Sequence, residues 1–301
     1  MKGERLKSSI LSMMKFCEPM ASHTTFKIGG EADIWAQPAD LDAAIQIMNL
    51  CKNDGIKIFV VGNGSNLLVK DAGIRGCVLN LDTEYFRGVK IADTAVTAGA
   101  GLGLSRLLNI LYNKSLSGLE FLAGIPASVG GALAMNAGWQ AKGQEKTQLA
   151  EFVEEVTVMD DKGKVLDLPR NEIVFRYRGW NLEKYIIIKA KLRLNKIDKG
   201  EILKKTKDFL NSKRVNQEFD KPSAGCIFKN PSGDSAGRLI DISGLKGARV
   251  GDAVVSNKHA NFIINVDKAK CSDVLKLMDI IQKKVKKDHG VLLEPEIRIL
   301  G

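Results

Sequence analysis

The sequence predicts an α+β protein in two parts, with a boundary near residue 200. Three observations carry this expectation. The 301-residue length suits two domains of roughly 100–200 residues each. Hairpin signals and amphipathic helices are mixed along the chain. A charge-rich helix from about Lys199 to Asn211 separates two groups of such elements.

In chain order, the segment to about Cys17 reads as a short amphipathic helix, part of an N-terminal stretch 1–22. Asp40 then caps a clearer helix with Leu41, Ala44, Ile45 and Met48 on one face. Ile56–Val61 is a strand that runs into Gly62-Asn63-Gly64-Ser65-Asn66, and further strands are expected around Cys77–Leu81 and Val89–Thr97. Gly101 and Gly103 precede a helix carrying Leu104, Leu107, Leu108 and Leu111. Phe152–Met159 alternates as a strand, and Asp160-Asp161-Lys162-Gly163 turns the chain back through Val165–Leu168. Tyr185–Leu194 is β-branched. Past the charged helix, strands are expected at Cys226–Phe228, Ala253–Ser256 and Asn261–Val266. A helix over Ser272–Lys287 buries Val274, Leu277, Met278, Ile281 and Val285, and Leu292–Leu300 closes as a strand.

Composition removes several classes. With 45% hydrophobic and 27% charged residues, the chain is not disordered. Its least polar stretch, Ile125–Trp139, is short and broken by glycines, where a membrane span needs ~20 apolar residues. No signal-peptide core fits the N-terminus, so a cytoplasmic protein is expected. Five widely spaced cysteines without Cys-x-x-Cys exclude a disulfide framework or zinc knuckle, and His23, His259 and His289 lack metal-ligand spacing. No metal is expected. The net charge of +10 favours anionic partners. The lysine clusters carry no interleaved aromatics and no nucleic-acid signature, so no nucleic-acid partner is expected.

Two loops carry chemistry. In Gly62–Asn66, small residues allow positive φ and let successive N–H groups converge on one point, a concavity suited to phosphate oxygens. Taken alone, a plain Asn- and Gly-rich turn explains it as well. It is not a P-loop, lacking Gly-Lys-Ser/Thr at its end. Gly99–Gly103 has the wrong spacing for a dinucleotide fingerprint and reads as a structural turn. Gly124-Ile125-Pro126-Ala127-Ser128-Val129-Gly130-Gly131, continuing to Asn136-Ala137-Gly138, is the second loop. A helix starting near Ser128 would offer free N–H groups and its positive dipole end to a phosphate. Two such loops about sixty residues apart would clamp a diphosphate.

With these loops, His23–Gly30, Phe175-Arg176-Tyr177-Arg178, Pro222–Pro231, Ala236–Asp241, Gly244–Gly247, Ser256–Phe262 and Glu294–Ile297 occur together and in order. The sequence resembles the UDP-N-acetylenolpyruvoylglucosamine reductase family from about Thr24 to Gly301, in its shorter branch without an inserted substrate-capping module. The resemblance implies noncovalent FAD in a two-part domain of the vanillyl-alcohol-oxidase-like type over 23–198. It implies a smaller α+β substrate domain over 199–301. NADPH is the implied reductant, a UDP-sugar the substrate, and peptidoglycan precursor synthesis the setting. Thr25, Gly62, Asn63, Gly64, Ser65, Asn66, Gly124, Pro126, Ser128, Gly130, Asn136, Ala137 and Gly138 fall on cofactor-contacting positions. Tyr177, Arg214, Lys229 and Asn230 fall on substrate positions. Arg178 and Glu296 fall on the two catalytic polar residues, and Cys226 takes the place of the family's usual serine proton donor. Other departures are Trp180 after the Tyr-Arg pair, Glu218 after Gln217 where proline is usual, Ala127-Ser128, and Trp139-Gln140.

The implied chemistry is physically coherent. Adding hydride to the vinyl carbon of an enolpyruvyl ether pushes charge into its carboxylate, giving an enolate. Arg178 suits that charge, because a guanidinium stays protonated and forks onto carboxylate oxygens. An ionised Glu296 would repel it, so burial would have to raise its pKa, or Glu296 would orient Arg178. A thiol, with an ordinary pKa of about 8.5, is a better acid than a serine hydroxyl. Lys229, three residues on, would lower that value further. Two rival readings are an FAD-linked oxidase of related fold and a non-catalytic nucleotide- or RNA-binding protein.

Overall fold

The structure, a computed structural model, describes residues 9–139 and 147–301. It divides into two compact units. Unit 1 comprises Met1–Phe16, Ile34–Asn63 and Gly76–Ser212, and unit 2 comprises Cys17–Asp33, Gly64–Arg75 and Lys213–Gly301. The units are therefore discontinuous, whereas the sequence suggests three successive segments. Two short N-terminal stretches join the C-terminal residues, and the last change of unit falls inside the helix Lys199–Asn216.

Unit 1 is built on a five-stranded antiparallel sheet in the order Val165–Pro169, Val153–Met159, Ile186–Arg193, Ala95–Gly99, Val89–Ala92. The Asp160–Gly163 turn joins the first two strands as expected, with the Asp160 carboxylate accepting from Lys162 and Lys164 N–H. The expected strand Val89–Thr97 is two strands, because Asp93 turns with φ 54°. Val156, Val158, Ala190 and Val96 bury one sheet face in a core shared with Leu104, Leu107 and Leu111 of the helix Leu104–Asn113. A parallel pair sets Ile58–Val60 against Cys77–Leu79. Asp40 caps the helix Leu41–Asn53 by accepting from Ala43 N–H at 2.8 Å. Gly99 and Gly101 press against the backbone of Phe86 and Leu81, the structural turn that their spacing suggests.

Unit 2 holds an antiparallel sheet in the order Ser223–Cys226, Phe262–Asn265, Ala253–Val255, Arg249–Val250. The helix Cys271–His289 packs Val274, Leu277, Met278, Ile281 and Val285 into its core. Asp71 holds that helix's start, accepting from Cys271 N–H at 2.7 Å and Ser272 N–H at 3.0 Å. Arg298–Leu300 pairs in parallel with Leu67–Val69.

Three further expectations are corrected: the strand expected at Cys226–Phe228 lies at Ser223–Cys226, leaving Phe228 in an isolated bridge. Met14–Pro19 is a strand, with helix only at Ser9–Leu11; residues 1–8 of the expected helix lie outside the described residues. The strand expected over Leu292–Leu300 shrinks to Arg298–Leu300. Before it, Pro295 makes only an isolated bridge with Phe228, since proline cannot donate to a ladder. Among the described residues, no helix is long and apolar enough to cross a membrane.

Candidate active site

The first loop leaves the strand Ile58–Val60 under the control of Asn80. This asparagine, 4% exposed, donates to the carbonyls of Val61 at 2.9 Å and Gly62 at 3.1 Å. Its own carbonyl accepts from Gln37 Nε2 and Asp82 N–H. Sequence reading missed Asn80; the available signal was a lone amide closing the apolar run Cys77–Leu79. Gly62 lies so close to the second loop that a Cβ there would stand 2.5 Å from Ser128 Oγ. Within unit 1 the start of the first loop thus lies against the second.

Further along the loop, Gly64 has φ 64°, and a Cβ would collide with the His23 carbonyl. Its own carbonyl accepts from Thr25 N–H at 3.4 Å. The Thr25 hydroxyl donates to Ser223 O at 2.7 Å. Among the described residues, no protein acceptor takes the N–H groups of Gly62, Asn63, Gly64 or Ser65. In unit 1, the N–H groups of Gly62 and Asn63 are thus left for an acceptor outside the protein, a setting suited to phosphate oxygens.

In the second loop, Ser128 caps the short helix Val129–Ala134, its Oγ accepting from Gly131 N–H at 3.2 Å. The expected free donors of that helix are not free. Val129 N–H donates to Leu102 O at 2.8 Å and Gly130 N–H to Ala100 O at 2.9 Å. The N–H groups before the helix, on Ala127 and Ser128, are the ones without a protein acceptor among the described residues. Gly124, with φ 81°, and Pro126 shape the approach to them. Gly130 is small because a Cβ would meet that of Ala100 at 2.9 Å. Gly138 pairs with Gln148, and Ala137 exchanges backbone bonds with Ala132 and Leu149. These three residues support the loop through its backbone. Gln140 lies outside the described residues.

Asn136 likewise faces inward. It is 4% exposed with φ 40°. Its amide donates to Gln148 Oε1 at 3.0 Å and Arg176 O at 3.2 Å, and its carbonyl accepts from Ala150 N–H. This side chain pins the second loop to the Tyr177-Arg178 turn. That turn links the two-residue strands Phe175–Arg176 and Gly179–Trp180. Arg178 takes φ 59°, a left-handed conformation uncommon outside glycine. Its guanidinium carbon stands 5.3 Å from the Tyr177 ring centroid. The departure at Trp180 has a packing role: only 3% exposed, it stacks on Phe175 at 6.1 Å.

Unit 2 assembles the remaining residues. Cys226, half-buried, ends its strand opposite Phe262, after a bulge at Gly225 with φ 76°. The following residues pair with the chain around Pro295: Glu296 N–H donates to Ile227 O and Lys229 N–H to Glu294 O, each at 2.8 Å. Cys226, Lys229 and Glu296 are thereby gathered, although they lie up to seventy residues apart. Asn66 joins them, donating to Glu296 O at 3.2 Å while its own carbonyl accepts from Arg298 N–H. The Lys229 ammonium sits 3.4 Å from the Glu294 carboxylate. Asn230 accepts from Ala236 N–H, at the start of the helix Ala236–Ile242. Arg214 is exposed on Lys199–Asn216, next to Lys213, which is 1% exposed. No group of His, Cys, Asp or Glu able to hold a metal occurs among the described residues.

Comparison with known proteins now defines the class. A family model described as FAD binding domain matches residues 32–169, the span of the donor-bearing residues Gly62, Asn63 and Ala127-Ser128. A second model, described as the C-terminal domain of UDP-N-acetylenolpyruvoylglucosamine reductase, matches residues 217–300. A relative of that name from Caldanaerobacter subterraneus subsp. tengcongensis is 43% identical, covering 94% of this chain and 92% of that one. Another, from Clostridium novyi, is 39% identical over 99% of this chain and 93% of its own. The crystal structure of the Thermus caldophilus reductase matches with a TM-score of 0.80 at 35% identity, covering 96% and 98% of the two chains. The molecule is an FAD-dependent oxidoreductase of α+β fold. The chain belongs to the UDP-N-acetylenolpyruvoylglucosamine reductase family.

Proposed function

We propose that this protein reduces the enolpyruvyl group of UDP-N-acetylglucosamine enolpyruvate to give UDP-N-acetylmuramate, a peptidoglycan precursor, with NADPH as reductant, in the cytoplasm. The observation that carries the reading is a likeness of 38–43% identity to reductases of that name, running through both halves of the chain. When bound, FAD carries hydride from NADPH to the substrate's vinyl carbon.

The chain's own residues do the rest. Successive N–H groups at Gly62–Ser65 and at Ala127-Ser128 hold the cofactor diphosphate. Arg178, held by its turn, meets the negative charge that develops on the substrate carboxylate. Glu296 acts in its acid form, since an ionised carboxylate would oppose the same charge. The Cys226 thiol gives a proton to the adjacent carbon and recovers it from solvent. Tyr177, Arg214, Lys229 and Asn230 bind the UDP-sugar.

Anaerobic mixing tests this reading. NADPH should bleach the flavin absorbance, and the enolpyruvyl substrate should then restore it with formation of UDP-N-acetylmuramate. A flavin that is bleached by a small hydroxy acid and does not respond to the enolpyruvyl substrate would instead mark an oxidase.

A further inference from the structure

The segment Cys226–Lys229 carries the proposed proton donor at one end and a substrate lysine at the other. Its backbone is held on one side by the chain around Glu296, through Ile227 O and Lys229 N–H. On the other side a single residue, Asn261, makes three contacts. Its backbone carbonyl accepts from Ile227 N–H at 2.8 Å. Its side-chain carbonyl accepts from Phe228 N–H at 2.9 Å, and its amide donates to Phe228 O at 2.7 Å. An amide side chain here replaces the backbone of a neighbouring strand, continuing the sheet beyond the Cys226–Phe262 pair. Asn261 is 2% exposed and Ile227 and Phe228 are fully buried, so water does not compete for these bonds.

Asn261 is itself fixed. Its N–H donates to His259 Nδ1 at 3.2 Å. Ser256 Oγ accepts from Lys258 and His259 N–H and donates to Glu218 Oε1 at 2.5 Å. This network gives Glu218, a departure from the family pattern, a structural task. A fixed amide gripping both polar groups of Phe228 sets the path of the residues on either side of it.

We propose that Asn261 is a positioning residue: it fixes the Cys226 thiol and Lys229 relative to Glu296, so that the proton is delivered from one defined place. This rests on the functional reading above. Removing its grip leaves the two half-reactions unequal. Hydride entry from NADPH does not use Cys226, whereas substrate reduction does, and a misplacement of about 1 Å can cost ~10²-fold.

The test uses the flavin-loaded full chain with Asn261→Asp and Asn261→Ala. Asp keeps the acceptor for Phe228 N–H and loses the donor to Phe228 O; Ala loses both. Bleaching by NADPH is expected within about twofold of the parent, and reoxidation by the enolpyruvyl substrate is expected to fall by ~10- to 100-fold. The solvent deuterium isotope effect on reoxidation should rise as proton delivery becomes limiting. Alkylation of Cys226 by iodoacetamide, read by peptide mass against the exposed Cys17, should change several-fold. Unchanged reoxidation in both variants overturns the proposal. So does a parallel loss of both half-reactions with Cys226 alkylation unchanged, which marks a general structural role. If the parent's flavin is not reoxidised at all, the functional reading fails, and the alkylation ratio still decides whether Asn261 sets the place of Cys226.

Discussion

The side-chain amide of Asn136 donates to the carbonyl of Arg176 at 3.2 Å, two residues before Arg178. Both Asn136 and Arg178 are left-handed non-glycine residues, with φ 40° and 59°. One buried amide thus joins the loop proposed to hold the cofactor to the turn proposed to hold the enolate.

Asn136→Ala should unbalance that junction. Leaving the buried Ala150 N–H without its partner costs about 1–3 kcal/mol at most, and the part-buried Arg176 carbonyl adds less because water reaches it, so a lower thermal midpoint is expected. Reoxidation by substrate should suffer more than reduction by NADPH. Equal rates of both, with an unchanged midpoint, would remove Asn136 from the argument.

Arg178→Lys keeps a charge and loses the planar fork. Flavin bleaching by NADPH should persist while substrate-driven reoxidation slows. An equal fall in both half-reactions, measured by stopped-flow absorbance, would assign Arg178 to folding or the cofactor.

Cys226→Ala should leave NADPH reduction near normal and lower reoxidation by ~10²–10⁴, the usual range for losing a positioned general acid. Cys226→Ser should recover much of the loss, and a thiol reagent should inactivate the parent and spare the serine variant. Full turnover in Cys226→Ala would return Cys226 to packing.

Two glycines make a matched pair. Gly64→Ala should abolish flavin retention or folding, because φ 64° and the His23 carbonyl both oppose a Cβ. Gly103→Ala meets nothing within 4 Å and should retain flavin with a near-parental midpoint. Flavin content per chain, read by absorbance, separates the two.

Burial pulls the Lys213 ammonium down to about 8, below the ~10.4 of an unfolded chain. From about pH 8 to ~10.4 the unfolded state binds more protons, so stability rises with pH across that window. Below it the cost is constant. Lys213→Met should abolish the rise, as urea midpoints at pH 8, 9 and 10 would show; parallel slopes in parent and variant would contradict the assignment.

The sequence made much of this visible. Asp40, the Asp160–Gly163 hairpin and the periodic helix through Val274–Val285 were legible because each depends on local residues. Met14–Pro19 was not: Met13-Met14-Lys15-Phe16 satisfies a helical pattern, and only its strand pairing decides otherwise. The open donors of the second loop lie two residues earlier than the helix start predicts, because Leu102 and Ala100 take those of the helix itself. The grouping of Cys226 with Glu296 rests on backbone pairing across nearly seventy residues, which no local pattern encodes. Asn80 and Asn261 went unnoticed for the same reason. Each is a single amide beside an apolar run, and its partners are backbone atoms that the sequence does not display.

The bond from Asn66 to Glu296 spans 230 positions, and the strand pairing of Leu67 with Arg298 spans 231. During synthesis at ~5–20 residues per second, Asn66 emerges on the order of ten to fifty seconds before its partner exists. The loop that begins at Gly62 therefore spends that interval without its outer anchor. Unit 2, gathered from three separated stretches, closes only when the ribosome has delivered Arg298–Leu300. Retention of flavin by a stalled nascent chain should appear late and abruptly, when residues 294–300 emerge.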